Sequence, residues 1–271
     1  MAWGAASLLL FIIGFVVLES WPALSHIGLW RLFLDAGWFP TEQSYQLTPM
    51  VTGTMFAAIG SIFLAAPLGI LSALFCHFYA PHILRLWFRR MVEILAGIPS
   101  VVFGFWGLVV LVPRIAAWHP PGPSLVAGIL ILTLMILPTI MLIAHSSISQ
   151  VPTSYIQSAT ALGLNRSAVI WRIILPVSRR GLLTGTFLGL ARALGETMAI
   201  LMVCGNVVQH PSHLFDPIRT LTANIALEMA YAVDHHRSAL FLSGLILMML
   251  VMAVVILAEA FHQKTPYAAA K

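Results

Sequence analysis

Charge is what this sequence has least of. Of its 271 residues only 8% are Asp, Glu, Lys or Arg, against roughly 25% in an ordinary soluble domain, while 60% are apolar and the mean hydropathy is +0.95. So few charges cannot cover a surface that faces water, so the main solvent must be a lipid bilayer. Lysine is almost missing, with Lys264 and Lys271 its only occurrences. A phosphate-binding P-loop needs a Lys directly after its glycines, so this chain cannot bind ATP in that way. Cysteine is scarce too. Cys76 and Cys204 both lie in apolar segments and read as unpaired core residues rather than a disulfide framework. No nucleophile–base constellation is present, so no catalytic residue and no cofactor is expected. The net charge of +5 reports membrane orientation rather than nucleic-acid binding.

What is abundant is long apolar runs. A spanning helix needs about 20 mostly apolar residues. Six windows qualify: Trp3–Leu18, Met55–Phe78, Ile94–Val112, Leu125–Ala144, Leu182–Val208 and Ala239–Ala258. None alternates with the period of two that barrel strands require, and lipid offers no backbone hydrogen bonds, so the runs are helices. The expected fold is an all-α integral membrane protein of six transmembrane helices, forming one domain over residues 1–271. The first window lacks a basic leader region and is followed by Glu19 rather than a small-x-small site. It therefore reads as an uncleaved helix.

Basic residues set the direction. Arg85, Arg89 and Arg90 fall between the second and third windows, and Arg166, Arg172, Arg179 and Arg180 between the fourth and fifth. Lys264 and Lys271 follow the last window. Only Arg31, Arg114, Arg219 and Arg237 fall on the other side, a ratio of nine to four. The richer side is the cytoplasm, so both termini are expected there. Residues 19–50, 113–124 and 206–237 are then extracytoplasmic, with Trp21, Trp30, Trp38 and Trp118 near the outer interface. His210, His213, Asp216, Asp234, His235 and His236 crowd the last of these loops. They lack a tight ligand spacing and read as solvated residues rather than a metal site.

Residues 150–181 are too polar to span and too patterned to be slack. Apolar residues recur at helical spacing through Ile156, Ala159 and Leu162, and again through Val169, Ile170 and Ile173, around Gly163-Leu164-Asn165. The pattern predicts two short amphipathic helices joined by a Gly-Asn turn. By itself it also fits a helix lying on anionic lipid. Its spelling narrows the choice. The run Gln157-Ser158-Ala159-Thr160-Ala161-Leu162-Gly163, followed by Ile173-Ile174-Leu175-Pro176, resembles the E-A-A-x-x-x-G-x9-I-x-L-P loop of ABC-importer permeases. Gln157 and Ser158 replace the Glu and first Ala of that pattern. Gly97-Ile98-Pro99-Ser100-Val101-Val102-Phe103-Gly104 and Arg192-Ala193-Leu194-Gly195-Glu196-Thr197-Met198-Ala199 extend the likeness over nearly the whole chain. Together these segments resemble the phosphate permeases of ABC importers, of the PstC type rather than its PstA partner.

The resemblance implies a type I importer permease fold in a bacterial inner membrane. It implies that Gln157, Ser158, Ala159, Ala161, Gly163, Ile173, Leu175 and Pro176 belong to a loop that docks on an ATPase subunit. It also implies partners: a second, PstA-like permease, two ATP-binding subunits and an extracytoplasmic phosphate-binding protein.

The fifth window carries the chemistry. A mid-span Arg costs about 2.5–3.5 kcal/mol even on a lenient scale, so Arg192 needs a partner or a wet cavity. On a continuous helix Glu196 would lie one turn further along the same face, and Gly181, Gly185, Gly189, Arg192 and Glu196 would fall within an arc of roughly 80°. Two readings stay open. The glycines let another helix approach a structural Arg–Glu pair, or they leave room for an anion drawn in by Arg192. Thr197 and Ser100 are further candidates for the path, because Pro99 places a hydroxyl-bearing residue at a helix irregularity. Pro67 and Pro138 are expected to shape the second and fourth spans. An ion-coupled secondary transporter, a non-transporting scaffold, and a permease for sulfate or molybdate remain the competing readings.

Overall fold

The computed structural model describes residues 2–26, 28, 30, 31, 35 and 37–263. Lys264 and Lys271, both counted in the orientation argument, lie outside the described residues. The order of elements is α1 (Ala2–His26), a two-residue hairpin of β1 (Trp38–Phe39) and β2 (Ser44–Tyr45), α2 (Thr48–Leu74), α3 (His82–Gly97), α4 (Ser100–Trp106), α5 (Val112–Trp118), α6 (Leu125–Ser149), α7 (Thr153–Ala161), α8 (Arg166–Val169), α9 (Leu175–Leu194), α10 (Met198–Val203), α11 (Leu221–Glu228) and α12 (Asp234–Gln263). The hairpin is antiparallel, with Trp38 opposite Tyr45. π-helical turns at Phe75–Tyr79, Gly107–Leu111 and Ile170–Ile174 extend α2, join α4 to α5, and join α8 to α9.

Among the described residues five helices are long and apolar enough to cross a bilayer: Ala6–Ser25, Thr48–Tyr79, Ser100–Trp118, Leu125–Ser149 and Asp234–Phe261. The expected fifth span, Leu182–Val208, is a broken helix and is not among these five. α9 stops at Leu194, the chain passes through Gly195-Glu196-Thr197, and α10 restarts at Met198. A hydropathy window averages over such a break and cannot register it. The third span is displaced as well. It begins at Ser100 rather than Ile94, because the residue before a proline is driven out of the helical region and Ile98 is extended (φ −67°, ψ 128°). Pro99 therefore separates two helices, whereas Pro67 and Pro138 lie inside helices that continue through them. The residues ahead of Pro99 form α3, which no window anticipated. Val92 faces the protein, while Trp87, Met91 and Ile94 are exposed.

The described residues pack as two units. In the first (Met1–Ala58, Ser100–Ile131, Leu194–Met252), Trp38, Tyr45, Leu47, Met50, Leu221, Leu240 and Leu242 share a core. α4 and α10 pack closely there: a Cβ on Gly104 would stand 2.7 Å from Ala199 Cα, and one on Gly107 would stand 2.8 Å from Val203 Cγ1. This register makes the two helices parallel. The loop after α10 closes over the start of α6. Ser124 N–H donates to Val203 O at 3.1 Å, Leu125 N–H to Asp216 O at 2.9 Å and Val126 N–H to Leu214 O at 2.9 Å, which satisfies amides that a helix start leaves open.

In the second unit (the described residues of Ile59–Pro99, Leu132–Ala193 and Ala253–Lys271), α2, α3, α6, α7, α8 and α9 enclose a core of Leu74, Cys76, Val92, Met141, Ile148, Ala159, Ile170, Ile174 and Leu182.

Candidate functional site

α9 lies against α6 along its glycine face. A Cβ on Gly181 would collide with Ser147 Oγ, one on Gly185 would stand 3.0 Å from Ile143 Cγ2, and one on Gly189 would stand 2.9 Å from Ile140 Cγ1. The rising numbers on α9 meet falling numbers on α6, so the pair is antiparallel. Of the two readings of these glycines, close helix approach holds for Gly185 and Gly189, and isoleucine side chains occupy the space an open path would need. Arg192 sits on the same face. Its guanidinium is exposed and donates to Thr139 Oγ1 on α6 at 3.1 Å. Its hydrogen-bond partner is therefore a neutral hydroxyl, and its positive charge is left uncompensated by that bond.

Two residues later the helix ends, so Glu196 does not follow Arg192 on a continuous helical face. The Glu196 carboxylate instead turns toward the next helix and accepts from Ala199 N–H at 3.1 Å, while its backbone carbonyl accepts from Thr222 Oγ1 at 2.7 Å. Thr197, with φ −115° and ψ −62°, is the residue from which α10 departs. An irregular backbone at membrane depth is tolerated only where protein buries it or a water-filled cavity solvates it. Ser100 opens α4. Because α4 and α10 are parallel and paired through Gly104 and Ala199, Ser100 stands at the same end as Glu196 and Thr197. The structure thus gathers Ser100, Glu196 and Thr197 in one unit, and gives Arg192 its partner in the other.

The first short helix and the turn of the 150–181 segment form as the periodicity predicts, but the second helix is not a separate short one: α8 runs through the π turn at Ile170–Ile174 straight into α9. α7 ends before Gly163, whose φ of +79° lies in the left-handed region that suits glycine. Asn165 then caps α8, its side-chain oxygen accepting from Ala168 N–H at 2.8 Å. Arg166 donates to Phe78 O at 3.2 Å and lies over the Tyr79 ring, which ties the turn to the end of the second span. Ala159 is 2% exposed and sits in the core with Val169, Ile170 and Ile174, so it anchors the loop and is not available to a partner. Ile173 and Leu175 pack half-buried against the same core. The open surface is Gln157, Ser158, Ala161, Gly163 and Pro176, with Leu162 82% and Trp171 66% exposed. The motif does not single out those last two side chains.

A family model for the binding-protein-dependent transport system inner membrane component matches residues 65–265. The chain belongs to that family. It is 36% identical over 248 residues to the phosphate transport system permease protein PstC of Xylella fastidiosa (strain 9a5c), covering 84% of this chain and 76% of that one. It is 35% identical over 281 residues to PstC of Mesorhizobium japonicum, covering 94% and 86%. Among solved structures, a chain of a bacterial alginate ABC transporter in complex with an alginate pentasaccharide-bound periplasmic protein superposes with a TM-score of 0.60 at 17% identity, over 96% of this chain and 93% of that one. The inward-facing MetNI methionine ABC transporter gives 0.59 at 17% identity, over 79% and 91%. At that identity the two structures establish the fold, and it is the importer-permease fold that the sequence resembles.

This inner-membrane component holds one further polar cluster that sequence reasoning missed. Glu228, at the end of α11, is 6% exposed. Its Oε1 accepts from Arg219 at 2.6 Å, and its Oε2 accepts from Trp38 Nε1 and faces His236 Nε2, each at 2.8 Å. Arg219 also donates to Asn206 O at 2.9 Å and to Asn224 Oδ1 at 3.1 Å. Trp38 is therefore buried in a charge network, with its ring turned into the protein and its indole N–H bonded to Glu228. The remaining outer-loop residues are also engaged. His210 meets Thr52 Oγ1 at 3.2 Å, and Asp216 accepts the backbone N–H groups of Ser212 and His213 at 2.8 and 2.7 Å. Those two amides hold the Asp216 carboxyl below its ordinary pKa. No short-range period signals the Glu228 network, since Trp38 and Glu228 are 190 positions apart.

Proposed function

We propose that this chain is one permease half of an ATP-driven importer that brings inorganic phosphate into the cytoplasm. The observation that carries the proposal is Arg192, a guanidinium in a broken membrane helix bonded to the neutral Thr139 hydroxyl. An ionisable group at that depth marks a substrate path, and one without a neutralising partner is suited to an anion. The names of the relatives supply the ion. Glu196 supplies a reason for choosing it. Phosphate near neutral pH carries at least one O–H, and an ionised carboxylate is acceptor-only, so it takes that proton's hydrogen bond. Fully ionised sulfate has no proton to offer and meets repulsion. Arg192 attracts either ion through its fork of donors. Thr197 and Ser100, at the same end of their paired helices, contribute hydroxyls to the path.

In this reading the chain has no ATPase site of its own. The complex holds two ATP-binding subunits, and one of them docks on the surface made by Leu162, Gly163 and Trp171. A second, PstA-like permease completes the pathway, and an extracytoplasmic phosphate-binding protein delivers the ion. Both termini and residues 150–181 lie on the cytoplasmic side. The test is uptake of labelled phosphate and sulfate into vesicles holding the full complex. ATP-dependent uptake that prefers phosphate is expected. Uptake driven by an ion gradient without ATP refutes the proposal, and equal sulfate uptake replaces phosphate with a broader oxyanion class.

A further inference from the structure

α3 (His82–Gly97) joins the span that ends at Tyr79 to the span that begins at Ser100, with only Ala80-Pro81 before it and Ile98-Pro99 after it. Links that short reach no more than about 10 Å. The span before α3 is 32 residues long, enough to reach through the headgroups, and the span after it is 19, enough for the hydrocarbon alone. α3 has 16 residues, about 24 Å of helix, and is tied at both ends. It has no room to stand out into water, and Arg85, Arg89 and Arg90 keep it from dipping into hydrocarbon. It therefore runs along the membrane surface, between headgroup level and the edge of the hydrocarbon.

The helix has three sides. One faces the protein: Val92 is buried in the core that holds Ala159 and Val169, and Phe88 packs against that core, edge-on to Phe75 with ring centroids 6.5 Å apart. Arg85 joins this side and donates to His77 O at 2.9 Å. The second side is apolar and uncovered. Ile83, Leu84, Trp87, Met91 and Ile94 are all exposed and fall within an arc of roughly 100°, the width of an ordinary buried stripe. The third side carries His82, Arg89, Arg90 and Glu93, with Leu86 among them. Arg89 pairs with Glu93 at 2.8 Å, and Arg90 has no ion pair among the described residues.

Two observations say what covers the apolar side. It is continuous with the outside of the preceding span, because Leu84 adjoins Phe88 on the helical wheel, Phe88 touches Phe75, and Leu71, Phe75 and Tyr79 are exposed one turn apart on that span. Hydrocarbon that solvates the span there also reaches α3. Charge supplies the rest. Three arginines stand against one glutamate, and Arg90 lies roughly 20° from Ile83, at the border of the apolar arc, where a long side chain reaches the level of lipid phosphates.

We propose that α3 is a lipid-binding helix on the membrane face shared with the 150–181 loop, its Ile83–Trp87–Met91–Ile94 side seated among acyl chains and its Arg89–Arg90 edge selecting anionic phospholipid. A large apolar stripe, a Trp within it and Arg on the polar face are what an interfacial helix requires.

Trp87 is the probe. The full complex is reconstituted in phosphatidylcholine mixed with phosphatidylglycerol, one or the other lipid being brominated in its acyl chains. Subtracting the fluorescence of Trp87→Phe isolates Trp87. Both brominated lipids are expected to quench it, with phosphatidylglycerol favoured about fivefold at equal mole fraction, the weight of one uncompensated arginine near an anionic surface. Arg89→Gln/Arg90→Gln should bring the two lipids level while Trp87 stays within reach of bromine, and Arg90→Lys should keep the preference. On the parent alone, high salt should erase the preference and leave quenching intact, so the test does not depend on the double variant assembling. Equal quenching by the two lipids in the parent overturns the anionic assignment, as does a preference that survives both high salt and the double variant. A Trp87 that neither lipid quenches overturns the whole proposal: quenching by aqueous iodide then places the apolar side in water, and protection from iodide places it under another subunit.

Discussion

Removing Arg219 leaves the buried Glu228 carboxylate without its cation. Its guanidinium sits 2.6 Å from Glu228 Oε1, and the Glu228 side chain is only 8% exposed. Arg219→Met keeps much of the side-chain length but leaves a buried carboxylate with Trp38 and His236 on its other oxygen alone. Breaking a buried pair by deleting one partner costs about 3–5 kcal/mol, because the surviving charge is desolvated without compensation. Glu228→Gln is expected to cost about 2–3 kcal/mol. Whichever way the amide is turned, its NH₂ meets a donor, either Arg219 or the Trp38 and His236 pair. The double variant Arg219→Met/Glu228→Leu is the sharper case. It removes both charges, so it should lie closer to the parent than Arg219→Met does, despite carrying two substitutions. The assay is reversible SDS unfolding of the chain in mixed micelles, followed by tryptophan fluorescence, on the parent, Arg219→Met, Glu228→Gln, Glu228→Leu and the double. If Arg219→Met costs less than about 1 kcal/mol, water reaches Glu228 and the pair is a surface one. If the double variant costs the sum of its parts, the two side chains are not coupled and the argument from desolvation is wrong.

Arg192→Gln should abolish phosphate uptake at normal membrane expression, whereas Glu196→Gln should weaken it less and admit sulfate, because an amide donates as well as accepts. Uptake of both ions by each variant decides this, and full phosphate selectivity in Glu196→Gln would defeat the proton-reading role. Leu162→Arg replaces a side chain that is 82% exposed and touches none of the core, so it should separate ATP hydrolysis from transport while leaving the unfolding midpoint in place. Normal coupling in that variant would move the docking surface elsewhere. Gly185→Leu should destabilise by about 1–3 kcal/mol or more through overpacking, since even a Cβ would stand 3.0 Å from Ile143 Cγ2. Unchanged stability would mean that α6 and α9 are not in close contact. Asp216 has its pKa depressed by two backbone amides, so its contribution is complete above the unfolded carboxyl value near 3.9 and fades as pH falls through the lower folded value. The protection factors of the Ser212 and His213 amides, with intrinsic exchange divided out, should therefore fall only at acid pH, and Asp216→Ala should abolish that change in protection.

Features written locally were legible in the sequence, and features written across the chain were not. Apolar windows located the spans because bilayer thickness sets their length, and Gly163 and Asn165 announced their turn because few other residues suit a left-handed backbone and a helix cap. The break at Gly195 escaped notice because an average over hydropathy is blind to where hydrogen bonds stop. Pairing Arg192 with Glu196 at helical spacing assumed the continuity that the break removes. α3 was hidden by its charges. Arg85, Arg89 and Arg90 counted toward orientation and drew attention away from the amphipathic run of Trp87, Met91 and Ile94. Ala159 matched a motif position, but spelling does not say which side of a short helix faces inward. That depended on Val169, Ile170 and Ile174, which fold back over it.

The burial of Ala159 bears on engineering as well. α7 and α8 share one interior with the ends of α2, α6 and α9, through Leu74, Cys76, Ile148 and Leu182. A graft of residues 153–174 from a related permease would therefore carry half of a jigsaw into a socket cut for another piece. Close-packed interiors do not absorb such a mismatch. Retargeting this chain to a different motor by exchanging the loop should succeed only when those four socket residues travel with it, or when the exchange is confined to outward-facing positions such as Gln157, Leu162 and Trp171. In the proposed coupling role the same rigidity suits the segment to act as a crank rather than a tether, since its tip shares a close-packed core with the helices it is set into.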